Sequence, residues 1–506
     1  MKKNMKRFIS FLLVLVMAFA MSSTVFAENA NITITASDGS TRTYDVYQIF
    51  TGDYSENDSG KEVLSNVKWG QNGTGRAGND VDETVLAVLK AVNNSTSDTA
   101  KLDIIKSYVD LNSEKFGTVS DGSSLNVPTG YYLIKDNGPV GDGEAYSLYV
   151  VEVVGTTTIS PKVGKTTSEK KVQDVNDSTG AITDWQDSAD YDIGDNVPFQ
   201  LKATIAQDYA NYKTYKLTFH DTEEKGLTFD PKSVKVYVDG NEITTGFKVV
   251  TSDLTDGDTF EVRFENLKQI ESVHAKSVIT VEYESTLNTN ANIGSAGNKN
   301  TMHITYSNNP NDEQGGENAK TPDDTVIVFT YKTVVNKVTE NPEYDASKDP
   351  EKTGIDSDGN EKYISLKGAG FTLYKKNATS GKYEPVDNEV KGNEMTTFVW
   401  EGLDDGDYKL VETTTPAGYN TIKDIEFTIS AEHNDETLTL TALSGGNKFT
   451  GNVSTGEVSA DVENKAGATL PETGGMGTTL FYIVGGILVV GAAVLLITKR
   501  RMNSEK

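Results

Sequence analysis

Short runs of β-branched and aromatic residues, broken by Asp-Gly pairs, recur along most of the chain and constrain its fold more than any other feature. Such runs occupy residues 31–35, 146–154, 232–238 and 325–331. Asp239-Gly240, Asp256-Gly257, Asp358-Gly359 and Asp405-Gly406 supply the positive-φ residues that hairpin turns need. Apolar residues spaced by two belong to strands with one buried face. Only residues 81–89 and 99–109 show the three-four spacing of helices. The expected fold is all-β: tandem, immunoglobulin-like antiparallel sandwiches, with a small helical insertion in the N-terminal domain.

A length of 506 residues suits about three such domains. Composition shifts at residues 161–176 and 308–324 put boundaries near 160 and 320. The expected division is a leader at 1–27 and domains at 28–160, 161–320 and 321–468. A C-terminal signal occupies 469–506. With no cysteine, the chain can have no disulfide, thiolate metal site or cysteine nucleophile. Acidic residues outnumber basic ones 74 to 47, a formal charge of -27, so no nucleic acid is expected as a partner. Four histidines and no zinc spacing leave no cofactor or metal to expect.

Both ends read as processing signals. Lys2, Lys3, Lys6 and Arg7 precede an apolar run from Phe8, and Val25 and Ala27 suit a cleavage site before Glu28. At the other end, the 18 residues from Leu480 to Ile497 are uncharged and long enough to cross a bilayer. Lys499, Arg500 and Arg501 follow, holding the tail in the cytoplasm. Just before the span stand Leu470, Pro471, Glu472, Thr473 and Gly474. This order resembles the LPxTG cell-wall sorting signal of Gram-positive surface proteins. The resemblance implies that a sortase cuts between Thr473 and Gly474 and passes the acyl group to an amine. Removing both ends discards four positive charges and a net three, taking the formal charge to -34 over residues 28–473.

The third domain reads Thr333-Val-Val-Asn-Lys337, then Leu366-Lys-Gly-Ala-Gly-Phe-Thr-Leu-Tyr374. It continues with Leu410-Val-Glu412, Pro416-Ala-Gly-Tyr419 and Ala460-Asp-Val-Glu-Asn464. This resembles the CnaB-type domain of Gram-positive pilins and adhesins. In that family a first-strand Lys and a last-strand Asn form an isopeptide bond assisted by a Glu, which here implies Lys337, Asn464 and Glu412. Strand parity agrees, because each of the three continues an apolar face. In an apolar core the amine loses its charge and becomes a nucleophile, while a protonated acid can polarise the carboxamide.

The middle domain offers a second set. Its YDIGDNVPFQLKATI block and HDTEEKGLTF resemble the middle domain of major pilins. The implied residues are Lys171, Asn308 and Asp221 as the acid, with Lys170 or Asn309 as alternatives. The first domain has Thr43-Tyr-Asp-Val-Tyr-Gln-Ile-Phe and Val127-Pro-Thr-Gly-Tyr-Tyr-Leu-Ile-Lys. It resembles the N-terminal domain of pilus backbones, and no cross-link set is evident in it. Backbone pilins also present a lysine to the sortase near the end of that domain. The Pro161-Lys162 pair stands there, with Ser160 where the family has Tyr, so Lys162 is the expected linking residue and Lys165 the alternative.

The resemblance implies a backbone subunit of a covalent, wall-anchored pilus, a sortase substrate rather than an enzyme. Its partners would be identical subunits, pilus and housekeeping sortases, minor pilins and peptidoglycan. The alternative is a monomeric LPxTG-anchored adhesin that binds a host protein.

Overall fold

The computed structural model describes residues 29–35, 42–56, 62–92, 98–138, 145–147, 149–154, 157–159, 164–254, 257–316, 318–345, 347, 361–467 and 477–502. The leader, Lys162 and the segment Leu470–Gly474 lie outside the described residues. Three two-sheet β units follow one another, and a single C-terminal helix, Gly477–Met502, stands apart from their cores. Its stretch Phe481–Arg501 has a mean hydropathy of 2.5 and the length to cross a membrane.

In the first unit, Thr43–Glu56 is the central long strand, paired with Glu62–Trp69, Gly117–Ser120 and Gly130–Asp136. Asn29–Ile34 joins a second, three-stranded sheet. The helices Glu83–Ala91 and Asp98–Lys106 pack Leu86, Leu89, Leu102 and Ile105 against Phe50, Trp69 and Tyr131. This is the expected helical insertion.

The middle unit faces one sheet containing Leu217–Glu223, Phe260–Phe264 and Asn298–Ser307 with another containing Thr167–Val172, Asn196–Thr204 and Val278–Leu287. Alternation is strict: even-numbered residues of Asn298–Ser307 are buried, and every odd one before Ser307 is more exposed. The hairpin between Lys235–Val238 and Asn241–Ile243 turns on Asp239 and Gly240, with φ of 48° and 80°, as a two-residue loop requires.

The third unit pairs Tyr331–Glu340 in parallel with the last strand, Glu457–Glu463. Gly370–Lys376, Gly406–Thr414 and Ile425–Asn434 form the core of the opposing sheet. The boundary expected at residue 320 falls differently. Asp324–Phe329 is hydrogen-bonded into the middle unit's sheet, beside Ser188–Asp190 and Asn298–Ser307. One residue, Thr330, separates it from Tyr331–Glu340. The strand is shared because its two faces go to different cores: Val326 and Val328 to the middle unit, Ile327 and Phe329 to the third.

Candidate functional site

Two buried clusters of lysine, asparagine and carboxylic acid lie inside sandwiches. In the third unit, Lys337 ends the inward face formed by Thr333 and Val335, and all three are fully buried. The parallel register sets Lys337 opposite Val462, so Asn464 follows two residues on along the same face. Glu412 comes from the facing sheet, paired with Phe371. Lys337 Nζ donates to Asn464 Oδ1 at 2.5 Å and to the Val462 carbonyl at 2.8 Å. Asn464 Nδ2 donates to Glu412 Oε1 at 2.9 Å, and that oxygen lies 3.8 Å from Lys337 Nζ. Glu412 Oε2 is held by the Ile422 backbone N–H, which aims Oε1 at the pair. Burial beside the Phe371 ring pulls the Lys337 amine down to about 8, against the opposing charges of Glu412 and Glu463. An amine, a carboxamide and a carboxyl group are therefore in mutual contact, with the neutral amine accessible near physiological pH.

In the middle unit the cluster forms on Lys170, not Lys171. Lys170 is fully buried and lies 2.5 Å from Asp221 Oδ2. The Lys171 side chain is 24% exposed and pairs with Asp187 at 2.7 Å. Adjacent strand residues point to opposite faces, so only one of two neighbouring lysines can enter the core. Lys170 shares its face with fully buried Val172. Asn308 is also far from the cluster. It sits beyond the end of its strand, and its carbonyl accepts from Tyr146 N–H of the first unit. The asparagine at the cluster is Asn300, eight residues earlier, on the order of 25 Å away along the strand.

Asn300 and Lys170 meet at the Tyr283 hydroxyl. Lys170 Nζ lies 3.0 Å from it and Asn300 Nδ2 2.8 Å, while the hydroxyl donates to Asp221 Oδ2 at 3.0 Å. Glu223 adds a second acid, 3.4 Å from Asn300 Nδ2. Burial drives both members of the Lys170–Asp221 pair toward neutrality, the amine down and the acid up. Burial also raises Glu223 to about 7, helped by Asp221. Among the described residues, Asp221 Oδ1, Glu223 Oε2 and Asn300 Oδ1 are buried without hydrogen-bond partners. Unsatisfied polar atoms in a core are costly, so this cluster destabilises the core as long as they lack partners. Sequence reasoning missed Asn300, Tyr283 and Glu223. The signal was available in part: Asn300 has the parity of Met302, Ile304 and Tyr306.

The first unit holds a different buried pair, Arg42 and Asp136 at 3.0 Å. Its contacts with the middle unit include the Lys213–Asp103 pair at 3.1 Å and the loop that follows Asn298–Ser307. Asn311 accepts from Tyr149 N–H and donates to the Ser147 carbonyl, both at 2.9 Å. Gly164 N–H donates to Asp208 Oδ2 at 3.1 Å, tying the chain to the middle unit two residues after Lys162.

With this geometry in place, comparison with known proteins defines the class. A Gram-positive pilin backbone subunit 2, Cna-B-like domain matches residues 193–310. A SpaA prealbumin-like fold domain matches 352–443, and an LPXTG cell wall anchor motif matches 462–504. The chain is thus built of Gram-positive pilin-type domains and ends in a cell-wall anchor motif, as a surface protein of the bacterial wall does. Its relatives include the trypsin-resistant surface T6 protein of Streptococcus pyogenes serotype M6, 24% identical over 56% of this chain and 60% of that one. The chain thus matches about three-fifths of that relative's length. The solved T6 backbone pilin of the same organism, described as modular and three-domain, matches 88% of this chain and all of that one. The TM-score is 0.50 at 17% identity, a likeness of fold.

Proposed function

We propose that this chain is the shaft subunit of a covalent pilus. Sortase transfers the acyl group of Thr473 in one copy to the Lys162 amine of the next, and two intramolecular Lys–Asn isopeptide bonds stiffen each subunit. One bond joins Lys337 to Asn464. The other joins Lys170 to Asn300. In each, the neutral amine attacks the asparagine carboxamide carbon, a C–N bond forms, and the carboxamide nitrogen leaves as ammonia. Glu412 Oε1 contacts both nitrogens of its pair, so it can take the proton from the amine and give it to the departing ammonia. Asp221 and the Tyr283 hydroxyl serve Lys170 and Asn300 in the same way. Each reaction runs once at its own site and is maturation, not turnover.

The observation that carries this reading is the closed contact of Lys337, Asn464 and Glu412 inside a domain that precedes a wall-anchor signal. The test has two parts. Intact-mass measurement of the soluble mature chain should find it lighter than its sequence by two ammonias. Immunoblots of cell-wall extracts should show a ladder of high-mass species that Lys162→Ala collapses. A full-mass chain removes the isopeptide bonds from the proposal. A single band in the parent strain points instead to an anchored monomer.

A further inference from the structure

The outer face of the middle unit carries a second constellation, unconnected with cross-linking. His220 lies on Leu217–Glu223 with its side chain opposite to Phe219 and Asp221, which face the core. Its cross-strand partner on one side is Glu261 and on the other His303. The imidazoles of His220 and His303 stack at 4.6 Å, so two of the chain's four histidines meet here. Asp258 Oδ2 lies 2.8 Å and Glu261 Oε1 3.6 Å from His220 Nδ1. Both carboxylates are nearly buried, with side chains 2% and 4% exposed.

We propose that His220 Nδ1, Asp258 Oδ2 and Glu261 Oε1 form a site for a divalent transition-metal ion of the zinc class. Three observations carry this. The ligand atoms lie within 4.8 Å of one another. Zinc bonds of about 2.0–2.1 Å require tetrahedral edges of about 3.3 Å, and the two measured edges, 2.8 and 3.6 Å, bracket that value. Second, each ligand is already oriented through its other polar atom. His220 Nε2 lies 2.9 Å from the Thr305 hydroxyl, Thr222 donates to Asp258 Oδ1, and Arg263 donates to Glu261 Oε2. Such outer contacts are what hold metal ligands in place. Third, two carboxylates neutralise a dication, and one of them, Asp258, lines a cleft of about 290 Å³. Lining residues of that cleft include Thr301, His303 and Asp323.

Two tautomers satisfy the ring contacts. Either Nδ1–H donates to Asp258 and Thr305 donates to Nε2, or Nε2–H donates to Thr305. In the second, the Nδ1 lone pair faces two carboxylate oxygens, an arrangement that needs a cation between them. Zinc at Nδ1 selects the second state, the ring proton passing from Nδ1 to Nε2 with no net release.

Equilibrium dialysis of the full extracellular chain against zinc, with cobalt as a spectroscopic stand-in, tests the site. The expected result is one zinc per chain, abolished by His220→Gln. Thr305→Val, which removes only the orienting hydroxyl, should weaken binding by about 10-fold. His303→Asn should leave stoichiometry unchanged. The intact mass of each variant reports whether the neighbouring cross-link still forms, and so whether the sandwich still folds. No stoichiometric zinc in the parent chain overturns the proposal. So does zinc uptake that survives His220→Gln, or that is lost instead on Asp192→Asn in the separate acidic cluster with Asp177, Asp195 and Asp404.

Discussion

At the scale of single residues, strand parity decides between adjacent candidates. Lys170→Ala should abolish the middle cross-link, leaving the chain one ammonia heavier, while Lys171→Ala should leave the mass deficit intact. Asn300→Ala and Asn308→Ala should divide the same way. Losing the Lys337–Asn464 bond, which closes a loop of 127 residues, should cost about 5 kcal/mol by chain entropy, read from denaturant unfolding of Asn464→Ala. The pH dependence follows from the Lys337 amine, lowered to about 8 in the folded chain from an ordinary value near 10.5. The neutral amine grows in through pH 8, so a chain refolded from denaturant should form this bond faster from pH 6 to 9 and then level off. Before bonding, the unfolded state binds more protons than the folded one between about pH 8 and 10.5. Stability of the unbonded fold should therefore rise with pH across that window. Much of this was legible in sequence. Lys337, Glu412 and Asn464 each continue an apolar alternation that identifies its inward face. Asn300 was not legible in the same way, because the strand Asn298–Ser307 offers polar residues of one parity at both ends. Only its position opposite Glu223 and near Lys170 decides which end meets the buried lysine.

At the scale of elements, the joint between the second and third units includes two successive strands, Asp324–Phe329 and Tyr331–Glu340, and a lysine. Lys375 Nζ contacts Asp192 and Asp404 at 2.6 Å and Asp177 at 3.1 Å. Those carboxylates hold its cation firmly charged, well above the ordinary lysine range despite burial. Lys375→Met would leave Asp404 buried without its partner, at a cost of about 3–5 kcal/mol. Faster proteolysis at the joint should reveal it. Beside it, burial raises Asp190 and lifts Asp174 to about 8, with Asp405 raised to about 6. Around them stand Tyr331 and His433, whose neutral forms burial favours, and the Lys375 cation. Raised acids stabilise the fold below their unfolded values near 4 and lose that contribution as pH climbs through the folded ones. The joint should be tighter at pH 5 than at pH 8, measurable as slower interdomain proteolysis. Close backbone approach adds to the fit. Gly294, at φ 81°, packs so near Gly456 that a Cβ would come within 2.4 Å of the Gly456 nitrogen.

At the scale of the whole molecule, the proposed bonds define a path for load. Force entering at Lys162 passes to Lys170, crosses to Asn300, follows the chain to Lys337, crosses to Asn464 and leaves at Thr473. Residues 171–299 and 338–463 are shielded from it, and the segment 300–337 carries it through the shared strand. The first unit lies off the path. Pulling single molecules between residues 162 and 473 should extend neither sandwich behind its bond. Asn300→Ala should add a hidden length on the order of 400 Å, at about 3.4 Å per residue released. Equal extension of parent and variant would refute the load path.

Local chemistry written along the chain determined much of this protein by itself. Alternation specified strands, Asp-Gly pairs specified turns, and a pentapeptide before an apolar span marked the anchor, since each signal is complete within a few consecutive residues. The tertiary structure alone decided which lysine of two faces the core, which asparagine meets it, and where one domain gives way to the next. Those outcomes depend on registers between strands more than a hundred residues apart, and on a strand whose two faces belong to two cores. The cluster at His220 has the same origin: its ligands lie nearly forty residues apart in sequence and meet only because two strands pair.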